Sequence, residues 1–125
     1  MHAAISEVIT RCDKEQPLSL VDIDRFAASM SMTSEQFYEA VLIAVAEAFQ
    51  RGDLTFSVGD AVANRLWTLS EHSLAGRARE VFLAFDEGEY YHQRDPSGSD
   101  RFSFTRVRSW RRFFEETLAH DTNAA

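Results

Sequence analysis

The chain contains one cysteine and one lysine among its 125 residues. A single cysteine, Cys12, excludes an internal disulfide framework. That fits a reducing cytosol, where thiols persist. Lys14 is the sole lysine, so arginine supplies the other twelve positive charges. A GC-rich genome produces such a bias without any functional cause. Long apolar runs are also missing. The longest, "AVLIAVA" from Ala40 to Ala46, is closed by Glu39 and Glu47. A membrane-crossing helix needs about 20 apolar residues, far more than this run supplies. The N-terminus, "MHAAISEVIT", lacks a basic region and meets Glu7 early, unlike a secretory signal. These absences predict a cytoplasmic protein with no membrane anchor.

Signatures of catalysis are missing as well. There is no Gly-x-Ser-x-Gly elbow, no glycine loop that would cradle phosphate and no Cys/His signature. Cys12 falls on an apolar stripe, where a thiol is a core residue rather than a nucleophile. The expectation is a protein that is not an enzyme and carries no cofactor.

What is present describes a folded globule. Hydrophobic residues make up 45% of the chain and aromatics 12%, with ten phenylalanines. That content argues against disorder even at a net charge of −7. The length fits one domain able to bury its own core. The negative charge disfavours nucleic acid, whose phosphates repel an acidic body, and favours a basic protein partner. The charge is uneven. Residues 1–60 hold ten acids against four bases, whereas residues 94–112 hold six arginines against two aspartates.

Periodicity predicts helices throughout. Ile5, Val8, Ile9 and Cys12 line one face of a first helix over about 3–14, and Pro17 lies just beyond it. A second starts near Ser19, with Asp22 as capping partner, and carries Leu20, Ile23, Phe26, Ala27 and Met30. Thr33 and Gln36 form a capping box for a third helix near 34–51. There Phe37, Val41, Ala44, Val45, Ala48 and Phe49 are widened by Leu42, Ile43 and Ala46 almost all round, which places this helix at the centre. Gly52 ends it. A fourth over about 57–72 turns Val58, Ala61, Val62, Leu66 and Leu69 inward, with Trp67 at the flank. A fifth over about 74–91 carries Leu74, Ala78, Val81, Phe82 and Phe85, and Gly88 should kink it or end it early. A sixth follows Thr105, carrying Val107, Trp110, Phe114 and Leu118. "DLTFSV" and "RFSFT" alternate briefly and would make at most a marginal ribbon. The fold class is therefore all-α, a single-domain bundle of five to six helices over residues 1–120, with residues 121–125 as a frayed tail.

The stretch "FLAFDEGEYYHQRD", Phe82 to Asp95, is the candidate site. Tyrosines beside carboxylates suit a protein interface: the ring gives area at little entropy cost, and the acids steer a basic partner. Asp86, Glu87, Glu89, Tyr90 and Tyr91 are the candidate partner-binding residues. Two other readings of the chain stay open. Glu89 and His92 have the Glu-x-x-His spacing of di-iron bundles, which would make a metal-dependent enzyme, but the motif occurs once where such a site needs it twice. Leu20 to Val45 reads as helix, short turn, helix, as in a nucleic-acid-binding or regulatory protein. Its second helix, however, offers Glu35, Glu39 and Glu47 where base edges demand donors. The stripe Arg106, Arg108, Arg111 and Arg112 could touch phosphates or pair with the acidic body. Asp60 and Asn64, one turn apart, could bond Trp67 Nε1 or backbone groups across the interface with the fifth helix as a polar lock, with Asp86 as a cap or a buried bridge to Arg65 or Arg77. A homodimer through the Phe-rich surface near Phe113 is a further possibility.

"GDLTFSVGDAVANRLW" followed by "VFLAFDEGEYYH" resembles a group of small bacterial immunity-type proteins of toxin–immunity systems. The residues carrying the likeness are Asp60, Ala61, Asn64, Leu66, Trp67, Phe85, Asp86, Gly88, Glu89 and Tyr90, within about residues 52–92. The resemblance implies a protein that neutralises a co-encoded toxin by binding it, here through an acidic face meeting a basic toxin domain.

Overall fold

A computed structural model describes residues 1–94, with side chains up to residue 88. It holds five helices: α1 (Ala3–Asp13), α2 (Leu20–Ser29), α3 (Ser34–Arg51), α4 (Phe56–Leu69) and α5 (Gly76–Arg94). No strand occurs among the described residues. The sixth helix expected after Thr105, the "RFSFT" stretch and the arginine stripe lie outside them.

Helix α3 packs against all four of the others. Its apolar residues explain why. Phe37, Tyr38, Val41, Leu42, Val45, Ala46, Ala48 and Phe49 are all buried. A fully buried Val, Leu, Ile or Phe contributes about 1.5–3 kcal/mol relative to exposure. This one helix therefore accounts for much of what holds the bundle together. Its start is fixed locally. Thr33 Oγ1 accepts from the Gln36 N–H, and the Thr33 N–H donates to Gln36 Oε1 at 3.0 Å. Ser19 and Asp22 make the same reciprocal pair at the start of α2. Asp22 also receives Arg11 of α1 at 3.2 Å and Arg25 at 2.9 Å. The Ser19 N–H, assisted by the Ser19 hydroxyl and both arginines, holds the Asp22 carboxyl below its ordinary range against partial desolvation. Its contribution to stability is thus present above that range and is lost as acid carries the pH through the lowered value.

The helix ends share one geometry. After α1, α2, α3 and α4, an N–H reaches back five residues to a carbonyl: Gln16 to Arg11, Met32 to Ala27, Asp53 to Ala48 and His72 to Trp67, all at 2.8–2.9 Å. The residue before each donor bonds three back and takes a positive φ: Glu15 at 54°, Ser31 at 56°, Gly52 at 81° and Glu71 at 55°. This is the Schellman arrangement. Only Gly52 adopts it without a side-chain penalty. His72, at φ 63°, extends the left-handed stretch by a second residue.

Four expectations need correction. "DLTFSV" forms no strand: Thr55 caps α4 by accepting from the Val58 N–H at 3.3 Å, and Phe56 opens the helix. The inward face of α4 is correspondingly rotated. Phe56, Gly59, Val62, Ala63 and Leu66 are buried, while Val58, Ala61 and Leu69 are only half-buried. Leu20 is not inward on α2, being 48% exposed. Gly88 does not end α5 early, since the helix runs on to Arg94. A mid-helix glycine costs about 1 kcal/mol, less than burying one of the side chains around it, so packing prevails. The stripe expected on α5 is as read: Leu74 in the preceding loop and Ala78, Val81, Phe82 and Phe85 are all buried.

At Gly59 the α4 backbone meets the Phe85 ring of α5 directly. A Cβ there would stand 2.4 and 2.6 Å from Phe85 Cζ and Cε1. The Phe85 ring is fully buried and cannot retreat. Two measurements follow. Gly59→Ala gains about 1 kcal/mol of helix propensity but must overcome overpacking worth about 1–3 kcal/mol, so we expect net destabilisation and a lowered urea midpoint. Ser31→Gly relieves a left-handed penalty of about 1–2 kcal/mol against about 0.5–1 kcal/mol of extra unfolded-state entropy, so it should raise the melting temperature by a few degrees.

Candidate functional site

The site is assembled on α5 from an inward and an outward face. Inward, Phe85 lies 5.8 Å from the Phe49 ring and 5.6 Å from Phe56, and Phe49 meets Phe56 edge-on at 6.1 Å. Phe82 stacks on Trp67 at 4.3 Å, and His72 stacks on Trp67 at 5.0 Å. These rings pin α5 to α3, α4 and the turn between α4 and α5. Outward, Asp86 and Glu87 are exposed, and Leu83 is 44% exposed. Leu83 sits three and four residues before the two acids, so the three side chains share one side of the helix.

Of the predicted contact residues, Asp86 and Glu87 are thus brought together at the surface. Glu89, Tyr90 and Tyr91 continue on the same helix, and their side chains lie outside the described residues. By helical register residue 90 falls two turns after Leu83, and residue 89 two turns after Phe82. Leu83 was not among the predicted site residues. The signal was available: its position between Phe82 and Phe85 takes it off the inward stripe, and a large apolar side chain there has nothing of its own helix to cover it.

The buried bridge expected from Asp86 does not form. Asp86 is exposed in mid-helix, so it neither caps nor bridges a buried pair, and Asn64 is exposed too. Arg65 instead donates to the Gln16 carbonyl at 3.1 Å, joining α4 to the loop after α1. Among the described residues no group of three His, Cys, Asp or Glu side chains could hold a metal. The side chains of Glu89 and His92 fall outside that set. Cys12 is buried, and desolvation pushes its thiol upward, with Arg65 opposing more weakly. It therefore stays protonated at neutral pH and is a poor nucleophile. On α3 the carboxylates Glu39 and Glu47 are half-buried, while Glu35, Gln36, Gln50 and Arg51 are exposed at its two ends. No helix among the described residues is long and apolar enough to cross a membrane.

No protein-family model matches the chain, and neither a curated protein nor a solved structure does.

The two faces of α5 should separate cleanly in stability measurements. Asp86→Asn and Leu83→Ala should each change the unfolding free energy by no more than about 0.5 kcal/mol, as surface changes usually do. Phe85→Ala should cost about 3–5 kcal/mol. Chemical denaturation of the three variants checks this directly.

Proposed function

We propose that the protein is a binding module whose contact face is the outer side of α5, and that its partner is a protein with a basic surface. The observation that carries this reading is the grouping of exposed Leu83 with Asp86 and Glu87 on a helix whose opposite side is anchored in the core. A solvent-facing leucine offers apolar area that gains by being covered. Carboxylates beside it attract and orient cationic side chains. Because the inward rings fix the helix, little order would have to be gained on association. The chain's net charge of −7 acts in the same direction at longer range.

The specific form we propose is an immunity protein that neutralises a basic toxin domain by covering it. This rests on the resemblance around residues 52–92 and on the absence of catalytic signatures in the sequence. The nucleic-acid alternative is weaker. A recognition helix needs a free, donor-rich side, whereas α3 is packed on by four helices and its exposed donors, Gln36, Gln50 and Arg51, sit only at its two ends.

The test is titration calorimetry of the purified chain with the purified toxin domain encoded beside its gene. We expect binding that weakens at least tenfold in Leu83→Asp and in the charge reversal Asp86→Arg, with folding unchanged by circular dichroism. Binding unaffected by both substitutions would remove α5 as the contact face. A basic neighbour that does not bind at all would remove the immunity reading.

A further inference from the structure

Helix α2 is attached differently from the rest of the bundle. Of its ten residues only Ile23 and Ala27 are buried, whereas eight of the eighteen in α3 are. Phe26 and Met30 are half-buried, and Leu20 and Val21 face solvent. Its packing is on α3 and, less, on α1. One apolar contact is ring on ring: Phe26 lies 6.2 Å from Phe37, which is itself fully buried.

Ile23 and Ala27 add a small apolar footing in the core, and the other attachments are polar and near water. Arg11 of α1 reaches Asp22 at 3.2 Å while also holding Glu7 at 3.0 Å. Its guanidinium lies 5.4 Å from the centre of the Phe26 ring, and Arg25 lies over the same ring at 5.9 Å. Ser34, the first residue of α3, donates to Asp24 at 2.7 Å. Ion pairs of this kind are weakened by solvent and salt. The segment is also bounded by two left-handed residues, Glu15 before it and Ser31 after it. These are places where backbone direction changes without disturbing a helix.

We propose that α2 is a detachable strap: it lifts from α1 and α3 as a unit while α1, α3, α4 and α5 remain packed, and the Arg11–Asp22 pair is its latch. Lifting uncovers Phe37 on the central helix, so the open form presents an aromatic surface that the closed form hides. The physical basis is the difference in buried apolar contact. Elements with few such contacts open at free energies below that of global unfolding. The latch matters because Arg11 of α1 meets two of the groups by which α2 is held, the carboxylate of Asp22 and the face of Phe26. This inference is independent of the α5 contact face.

Amide hydrogen exchange of the full-length chain, read by mass spectrometry at neutral pH, tests it. In the wild type, amides of Ile23–Ser29 should exchange at least tenfold faster than those of Val41–Ala48, after correction for intrinsic rates. Arg11→Gln, which leaves the Ser19 cap intact, and Asp22→Asn should each speed the α2 amides several-fold further and leave α3 unchanged. Equal protection of α2 and α3 in the wild type would overturn the strap. Variants that speed α3 as much as α2, or that change neither, would overturn the latch.

Discussion

The contact between Gly59 and Phe85 sets the geometry on which the rest of the bundle depends. With no Cβ on α4 at that point, the Phe85 ring fits against the α4 backbone and beside Phe49 and Phe56. One aromatic side chain thereby binds α3, α4 and α5 into a single layer of packing. The next residue along the chain is Asp86. Fixing Phe85 inward at van der Waals contact therefore fixes where Asp86 and its neighbours emerge. Core packing and surface presentation are two sides of one helical register.

The parts of the fold that were legible in the sequence are those governed by near neighbours. Thr33 with Gln36 and Ser19 with Asp22 are capping boxes because the partners lie three residues apart, and the sequence contains the whole interaction. The burial of α3 was legible because its apolar residues cover almost its full circumference. What could not be read depended on residues distant in the chain. Gly59 acquires its role from Phe85, twenty-six positions away, and nothing near Gly59 announces it. The face of α4 was misread because Phe56 looked like part of an alternating strand; once Thr55 caps the helix, Phe56 joins the buried face and rotates the stripe. Gly88 was misread because propensity was weighed alone, without the packing of Val81, Phe82 and Phe85 that carries the helix through it.

The site divides along the same line. That Glu87 faces water follows from the spacing of Phe82 and Phe85, which leaves it on the opposite arc, with Asp86 at the edge of the inward face. That Leu83 joins them follows from the same spacing but was obscured by its chemistry, since an apolar residue in an apolar stretch reads as core. The bridge expected between Asp86 and Arg65 failed for a different reason. Composition can nominate partners, but Arg65 found a backbone carbonyl at Gln16, forty-nine positions away, and which distant carbonyl lies within reach is set by the fold.

The repeated left-handed reversal at the helix ends bears on how fast the chain reaches this arrangement. Each of the four links is short, six residues at 14–19 and 70–75 and four at 30–33 and 52–55. Every helix is therefore delivered beside its successor with little chain entropy lost in closing the gap. The pairings of α3 with α5 and of α1 with α4 instead close over longer stretches of chain, so they bear the larger share of the closure entropy. The non-glycine residues accepted at three of these corners give up some stability, yet they keep those links short.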